Sequence, residues 1–232
     1  MPKKTVHIKN IGLVTFSGNS RSKSMRLSVK PDKSVLVSYP GYVSPGDALK
    51  FVAKNSAWIS RQQEKMNLRK TFISPGTELQ TKLYKIRFSE GFQNKTWVQK
   101  EVIHVEIKNF NSDEAQEYIT HLLTETYRME AQKLLPQRLE KLAGKFGFRY
   151  NKISIRNNRS NWGSCSSKNN ISLNLQMMKL PDILIDYILL HELVHTEIKN
   201  HGSGFWARLN QITNNQAVEL SRQVKKYSTY IL

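Results

Sequence analysis

The sequence predicts an α+β protein with two parts: a β-rich, basic part over residues 1–110 and a helical part over 111–232 organised around one apolar helix. Three observations lead there. Short alternating runs fill the first part, long stretches with helical periodicity fill the second, and HELVHTEIKNHGSGFW sets polar residues abruptly at the end of the apolar segment PDILIDYILL.

In order along the chain, VHIKNIGLVTF, MRLSVKP and SVLVSYP read as strands, with PDKS as a hairpin turn between the last two. One helix is expected from Pro45 or Asp47 through SPGDALKFVAKNSAWISRQQEKMN, with Phe51, Val52, Trp58 and Ile59 as its apolar stripe. KLYKIRFSEGF and TWVQKEVIHVEIKN return to strand alternation. Ser112 then caps a long helix whose first turn carries Asp113 and Glu114. Pro136 removes a backbone donor inside that pattern, so a kink or break is expected there, before a second stretch ending near Gly144. KISIR (152–156) and ISLNLQ (171–176) are strands joined tightly through NWGSCSSKNN, and Pro181 with Asp182 opens the next helix. The sequence shows no internal repeat, and ISLNLQ is expected at a sheet edge, where it pairs with an extended peptide.

Composition narrows the function. Lys plus Arg outnumber Asp plus Glu by 20 to 7 over residues 1–110 and by 16 to 11 over 111–232, so +13 of the +18 net charge lies in the first part. That imbalance favours a polyanion, and weak, sequence-independent nucleic-acid binding is expected there. Arg21, Lys23, Arg26 and Lys30 fall within ten residues. Strand alternation puts Arg26, Ser28 and Lys30 on one face, with Leu27 and Val29 facing the core. No run approaches the roughly 18 apolar residues of a membrane span, and no apolar leader follows MPKKTVHIKN. The single cysteine, Cys165, rules out an internal disulfide framework and a cysteine zinc cage and suits a reducing compartment. A cytoplasmic protein without membrane contact is therefore expected.

Residues four apart lie on one helical face, so His191 and His195 can aim their imidazoles at a common centre. Glu192, beside the first, is placed to reach water at that centre without coordinating, which makes it the candidate general base. A catalytic zinc site needs a third protein ligand. His201 supplies it if the chain turns at Lys199 and Asn200, where Asn tolerates a left-handed conformation and Gly202 follows. Glu219 is the rival third ligand. Ordinary surface histidines do not explain the pattern, because residues 183–190 are apolar on nearly every face and three of the six histidines fall within eleven residues. His7, His104 and His121 are isolated, and Cys165 is expected to be a small apolar core residue. Phe205 and Trp206 are expected to pack the following helix into the core.

NWGSCSSKNNISLNL followed by MKLPDILIDYILLHELVHTEIKNHGSGFW resembles the YgjP-like metallopeptidases, relatives of the SprT-like and yeast weak-suppressor-of-Smt3 proteases. The basic segment RSKSMRLSVKPDKSVLVSYPGYVSPGDALKFVAKNSAWI also resembles the family's start. The resemblance implies a zincin-like catalytic part, with His191, His195 and His201 as zinc ligands, Glu192 as the catalytic glutamate and Trp162, Gly163, Ser164 and Cys165 as a signature. Many members have Lys-Ser/Thr-Arg before the tryptophan where this chain has Arg159, Ser160 and Asn161, which bears on substrate handling. The implied activity is zinc-dependent hydrolysis of peptide or protein substrates. Two alternatives stay open from sequence: a nucleic-acid-associated protein with a vestigial metal site, and a non-peptidase metal hydrolase.

Overall fold

Alternating apolar residues and helical stretches, two of them capped by serine, give the chain a mixed α+β architecture. The computed structural model describes residues 3–30, 33–68 and 73–229. These form two compact units, one reaching to residue 72 and one running from Ile73. The expected division at 110/111 does not coincide with that break, because the second set of strands clusters with the helical part.

The first unit contains β1 (Lys4–Ile8), β2 (Gly12–Asn19), β3 (Arg26–Val29), β4 (Val35–Pro40), α1 (Pro45–Lys54) and α2 (Ser56–Leu68). The sheet order is β1-β2-β4-β3, with β2 and β4 parallel and both outer pairings antiparallel. Val14, Val35 and Val37 point to one face, where Ala48, Val52 and Ile59 from the helices complete a fully buried core. The same alternation leaves Arg26, Ser28 and Lys30 exposed, with Leu27 and Val29 turned inward. Of the expected PDKS turn, Pro31 and Asp32 lie outside the described residues; Lys30 N–H donates to Ser34 O across it at 2.8 Å. Ser44 caps α1 by accepting from the Asp47 amide at 3.1 Å. The single expected helix is two helices, because Asn55 leaves helical geometry (φ −104°, ψ 14°) and its side chain donates to Phe51 O at 2.8 Å.

The second unit opens with β5 (Glu78–Gln80), β6 (Lys85–Glu90), β7 (Lys95–Gln99) and β8 (Val102–Ile107) in the order β5-β6-β8-β7. The pairings again run antiparallel, parallel, antiparallel. Both units thus use one strand order, a structural recurrence that the sequence did not reveal.

Next comes α3 (Asp113–Phe146), capped by Ser112 at its start and by left-handed Gly147 (φ 77°) at its end. Pro136 neither breaks it nor ends it. Ala131, Leu135, Leu139 and Ala143 are buried at four-residue intervals across the proline. That packing outweighs the roughly 3 kcal/mol an interior proline costs.

A three-stranded sheet, β9 (Ile153–Arg156), β10 (Gly163–Cys165) and β11 (Ile171–Asn174), has the order β10-β11-β9. ISLN is therefore the central strand, not an edge; β10, inside the segment expected as a mere connection, is the edge beside it. A 3-10 turn over 175–179 leads into α4 (Asp182–Glu197), followed by α5 (Ser203–Ile212) and α6 (Ala217–Val224). Apolar side chains cover α4 on most sides, from Leu184 through Val194, and it touches α3, α5, α6 and β10. Arg138 of α3 clamps its first turn, bonding to both carboxylate oxygens of Asp186 and to the Asp182 carbonyl, while Lys82 Nζ meets Asp182 at 2.6 Å. Among the described residues no helix is long and apolar enough to cross a membrane.

Candidate metal centre

The last two turns of α4 carry His191, Glu192 and His195, and the connection to α5 carries His201. The helix ends at Glu197, and Ile198 leaves it in an extended conformation (φ −124°, ψ 106°). The turn thus begins a residue earlier than expected, and Asn200 does not use the left-handed region. Gly202 serves as the N-cap of α5. The carbonyl of Ile198, freed from the helix, accepts from His195 Nδ1 at 2.9 Å. That bond leaves His195 Nε2 with its lone pair facing the other two rings.

The three imidazoles converge. His201 Nε2 lies 3.1 Å from His195 Nε2 and 3.1 Å from His191 Nε2, and one ligand atom from each ring falls within 4.8 Å of the others. Nitrogens about 2.0–2.1 Å from a tetrahedral zinc stand roughly 3.3–3.4 Å apart, so the spacing suits a small divalent cation. Protons do not hold this cluster together well: burial, with His195 and His201 alongside, pushes the His191 imidazole down to about 3. Burial likewise holds His195 below its usual range. A metal requires neutral rings with lone pairs aimed at it, and burial disfavours the charged form at His191 and His195.

Glu192 points from α4 toward the edge strand β10. It is only 5% exposed, its Oε2 has no hydrogen-bond partner among the described residues, and burial pushes its carboxyl up to about 8. A Cβ at Gly163 would stand 2.7 Å from Glu192 Cγ and Oε1, so only glycine lets the strand approach this closely. Asn161 Nδ2 donates to the Gly163 carbonyl at 2.9 Å. The fully buried Asn174 secures that loop from below, with Nδ2 donating to Asn158 O at 2.7 Å and Asn161 O at 2.8 Å. Gly163 and Asn161 belong to the segment that the sequence singled out. Asn174 and the Gly163–Glu192 contact had no sequence signal, because both depend on strand pairing.

Other residues weighed from sequence lie elsewhere. Glu219 is exposed on α6, where it pairs with Arg222 and accepts from Gln223 at 3.2 Å. His7 lies on β1 and His121 on α3, and His104 stacks on Trp97 with ring centres 5.1 Å apart. Cys165 packs against the core and lies 3.8 Å from Lys199 Nζ, and burial raises its thiol. Phe205 is fully buried as expected, directly against the three histidines, whereas Trp206 is half-buried at the core's margin.

Two solved structures are similar to part of the chain. The metallopeptidase zymogen jannalysin of Methanocaldococcus jannaschii shares 24% identity, covers 39% of this chain and 93% of its own, and has a TM-score of 0.35. The metallopeptidase zymogen abylysin of Pyrococcus abyssi shares 25% identity, covers 40% and 94%, and has a TM-score of 0.36. No curated protein matches the chain. The model of the YgjP-like metallopeptidase domain matches residues 23–227, nearly the whole length. The chain belongs to the YgjP-like family and carries its metallopeptidase domain, which makes it a metal-dependent peptidase.

Proposed function

We propose that this metal-dependent peptidase is a zinc enzyme of the zincin type, with His191, His195 and His201 holding the ion and Glu192 acting as general base. One observation carries the reading: three imidazole nitrogens converge at the end of α4, where the same helix carries a buried carboxylate with one oxygen that has no hydrogen-bond partner among the described residues. A donor set of three imidazoles suits zinc, with a position left open for catalysis. When bound, zinc supplies Lewis acidity to the scissile carbonyl and acidifies water in the site.

The chain's own residues do the rest. Glu192 removes the proton of the attacking water and returns it to the leaving amine; burial makes its carboxylate a stronger base than an exposed one. Gly163 leaves that carboxyl room, and Asn161 fixes the Gly163 carbonyl. The edge strand β10 supports recognition of an extended peptide. Its bonds to β11 include Asn174 N to Trp162 O at 2.8 Å and Ser166 N to Asn170 O at 2.9 Å. The two-residue alternation then turns the amide groups of Ser164 toward β11 and those of Gly163 and Cys165 toward the open side. A substrate strand adds there through main-chain hydrogen bonds.

The test combines metal analysis with cleavage of a proteome-derived peptide pool. Wild type is expected to hold zinc and cleave, Glu192→Gln to hold zinc without cleaving, and His191→Ala to lose the metal. Full zinc occupancy in His191→Ala would remove the site as described.

We also infer weak nucleic-acid binding by the first unit. Its support is the exposed Arg26 and Lys30 face, and the lack of an ion-paired carboxylate for Arg21, Lys23, Arg26 or Lys30 among the described residues.

A further inference from the structure

We propose that Phe205 is a positioning residue for the metal ligands: its ring holds the three imidazoles in their converging orientation, through apolar contact where hydrogen bonds are missing. The inference rests on the reading of His191, His195 and His201 as the ligand set.

Histidine ligands ordinarily have their second ring nitrogen hydrogen-bonded, which fixes the ring plane and the tautomer. Here only His195 has such a bond, from Nδ1 to Ile198 O. His191 and His201 meet each other through Nε2, and neither Nδ1 has a hydrogen-bond partner among the described residues. Left to themselves, these two rings would turn about the bond to Cβ and sweep their lone pairs away from the centre.

Phe205 prevents this. Its ring centre lies 4.8 Å from that of His191, 4.5 Å from that of His195 and 4.7 Å from that of His201. Its plane crosses His191 and His201 at 70° and 66°, near edge-to-face, and His195 at 30°. These are the separations at which aromatic rings attract and orient one another. Phe205 is 0% exposed, so it cannot move aside without opening the core. It also sits in the first turn of α5, four residues after His201. The start of one helix therefore places the third ligand and the ring that orients all three. Tyr187 touches only His191, at a longer 6.1 Å.

The test measures metal affinity, so it needs no substrate. The full-length chain is titrated with zinc against a competing chelator, and with cobalt while the visible absorption of the bound ion is recorded. Phe205→Leu keeps an apolar side chain in the core but loses the flat ring. It is expected to bind zinc about tenfold to a hundredfold more weakly, the usual loss when a ligand's supporting group is removed. Its cobalt band is expected to broaden as the ligands lose a single arrangement. Phe205→Ala should lose more. Leu139→Ala, at a fully buried position of the same core on α3, serves as control: its melting temperature should fall while its zinc affinity stays at the wild-type value. Wild-type affinity in Phe205→Leu overturns the proposal, and so does an equal loss in Leu139→Ala, which would assign the effect to a loosened core. Absence of zinc binding in the wild type would instead overturn the ligand assignment itself.

Discussion

Replacing Gly163 with alanine tests the geometry around Glu192 with one added methyl group. The new Cβ would stand 2.7 Å from Glu192 Cγ and Oε1 and 2.9 Å from Cδ. Carbon contacts relax only at roughly 3.5–4.0 Å, so the carboxyl must move by the better part of an ångström. Glu192 is only 5% exposed, so displacing its carboxyl disturbs the packing around it. Overpacking of this kind costs about 1–3 kcal/mol, and a catalytic group misplaced by about 1 Å loses on the order of a hundredfold in rate. Gly163→Ala is therefore expected to keep its zinc, melt several degrees lower and cleave peptides about a hundredfold more slowly. Gly163 has no left-handed backbone, so strain of that kind does not contribute. Repeating the substitution in a Glu192→Asp background, where the carboxyl is one methylene shorter, should abolish the stability loss, a coupling that a double-mutant cycle reads directly. Wild-type turnover and stability in Gly163→Ala would refute the close contact and the role built on it.

Three further outcomes follow from the same structure. Chelator competition should show a large loss of zinc affinity in His201→Ala and none in Glu219→Ala, and the reverse order would replace the third ligand. Lys82 and then Arg138 hold the Asp182 carboxyl below its ordinary value of 3.8. The unfolded chain therefore takes up that proton first as pH falls. The contribution is complete above about pH 4 and is lost below it, and for so exposed a pair it is worth about 1 kcal/mol or less; urea melts between pH 3 and 5, about the usual carboxylate range, should lose this part of their pH dependence in Asp182→Asn. Binding of single- and double-stranded oligonucleotides should weaken log-linearly with salt and vanish when Arg21, Lys23, Arg26 and Lys30 become glutamate; no binding by the wild type at low salt would leave the charge as a solvated surface.

The features legible in the sequence are those with a local cause. Ser112 announces its helix and Pro45 the start of α1, because a cap or a first-turn proline acts within its own turn. Leu27 and Val29 alternate with Arg26 and Ser28 because strand geometry alone sets which side faces the core. His191 and His195 share a face by helical spacing, and His201 follows because the chain has one short path back. The features that sequence misplaced depend on distant partners. ISLN looks the same as a central or an edge strand until β10 is seen to pair with it. Pro136 reads as a break because its cost is local, whereas the packing of Leu135 and Leu139 that outweighs it comes from other elements. The shared strand order of the two four-stranded sheets stays hidden because each central pairing joins strands that are not consecutive.

The polar residues at the end of α4 are explained by the helix's own surroundings. α4 touches α3, α5, α6 and β10, so no rotation about its axis would bring Glu192 to water without burying another side chain in its place. Each fully buried leucine or isoleucine on the helix stabilises the fold by about 1.5–3 kcal/mol. An unpaired buried polar oxygen costs about 1–3 kcal/mol. The buried apolar side chains from Leu184 to Leu190 therefore offset the cost of burying one carboxyl on the same helix. Because that margin comes from residues outside the site, Glu192 can stay buried with an oxygen that has no hydrogen-bond partner among the described residues.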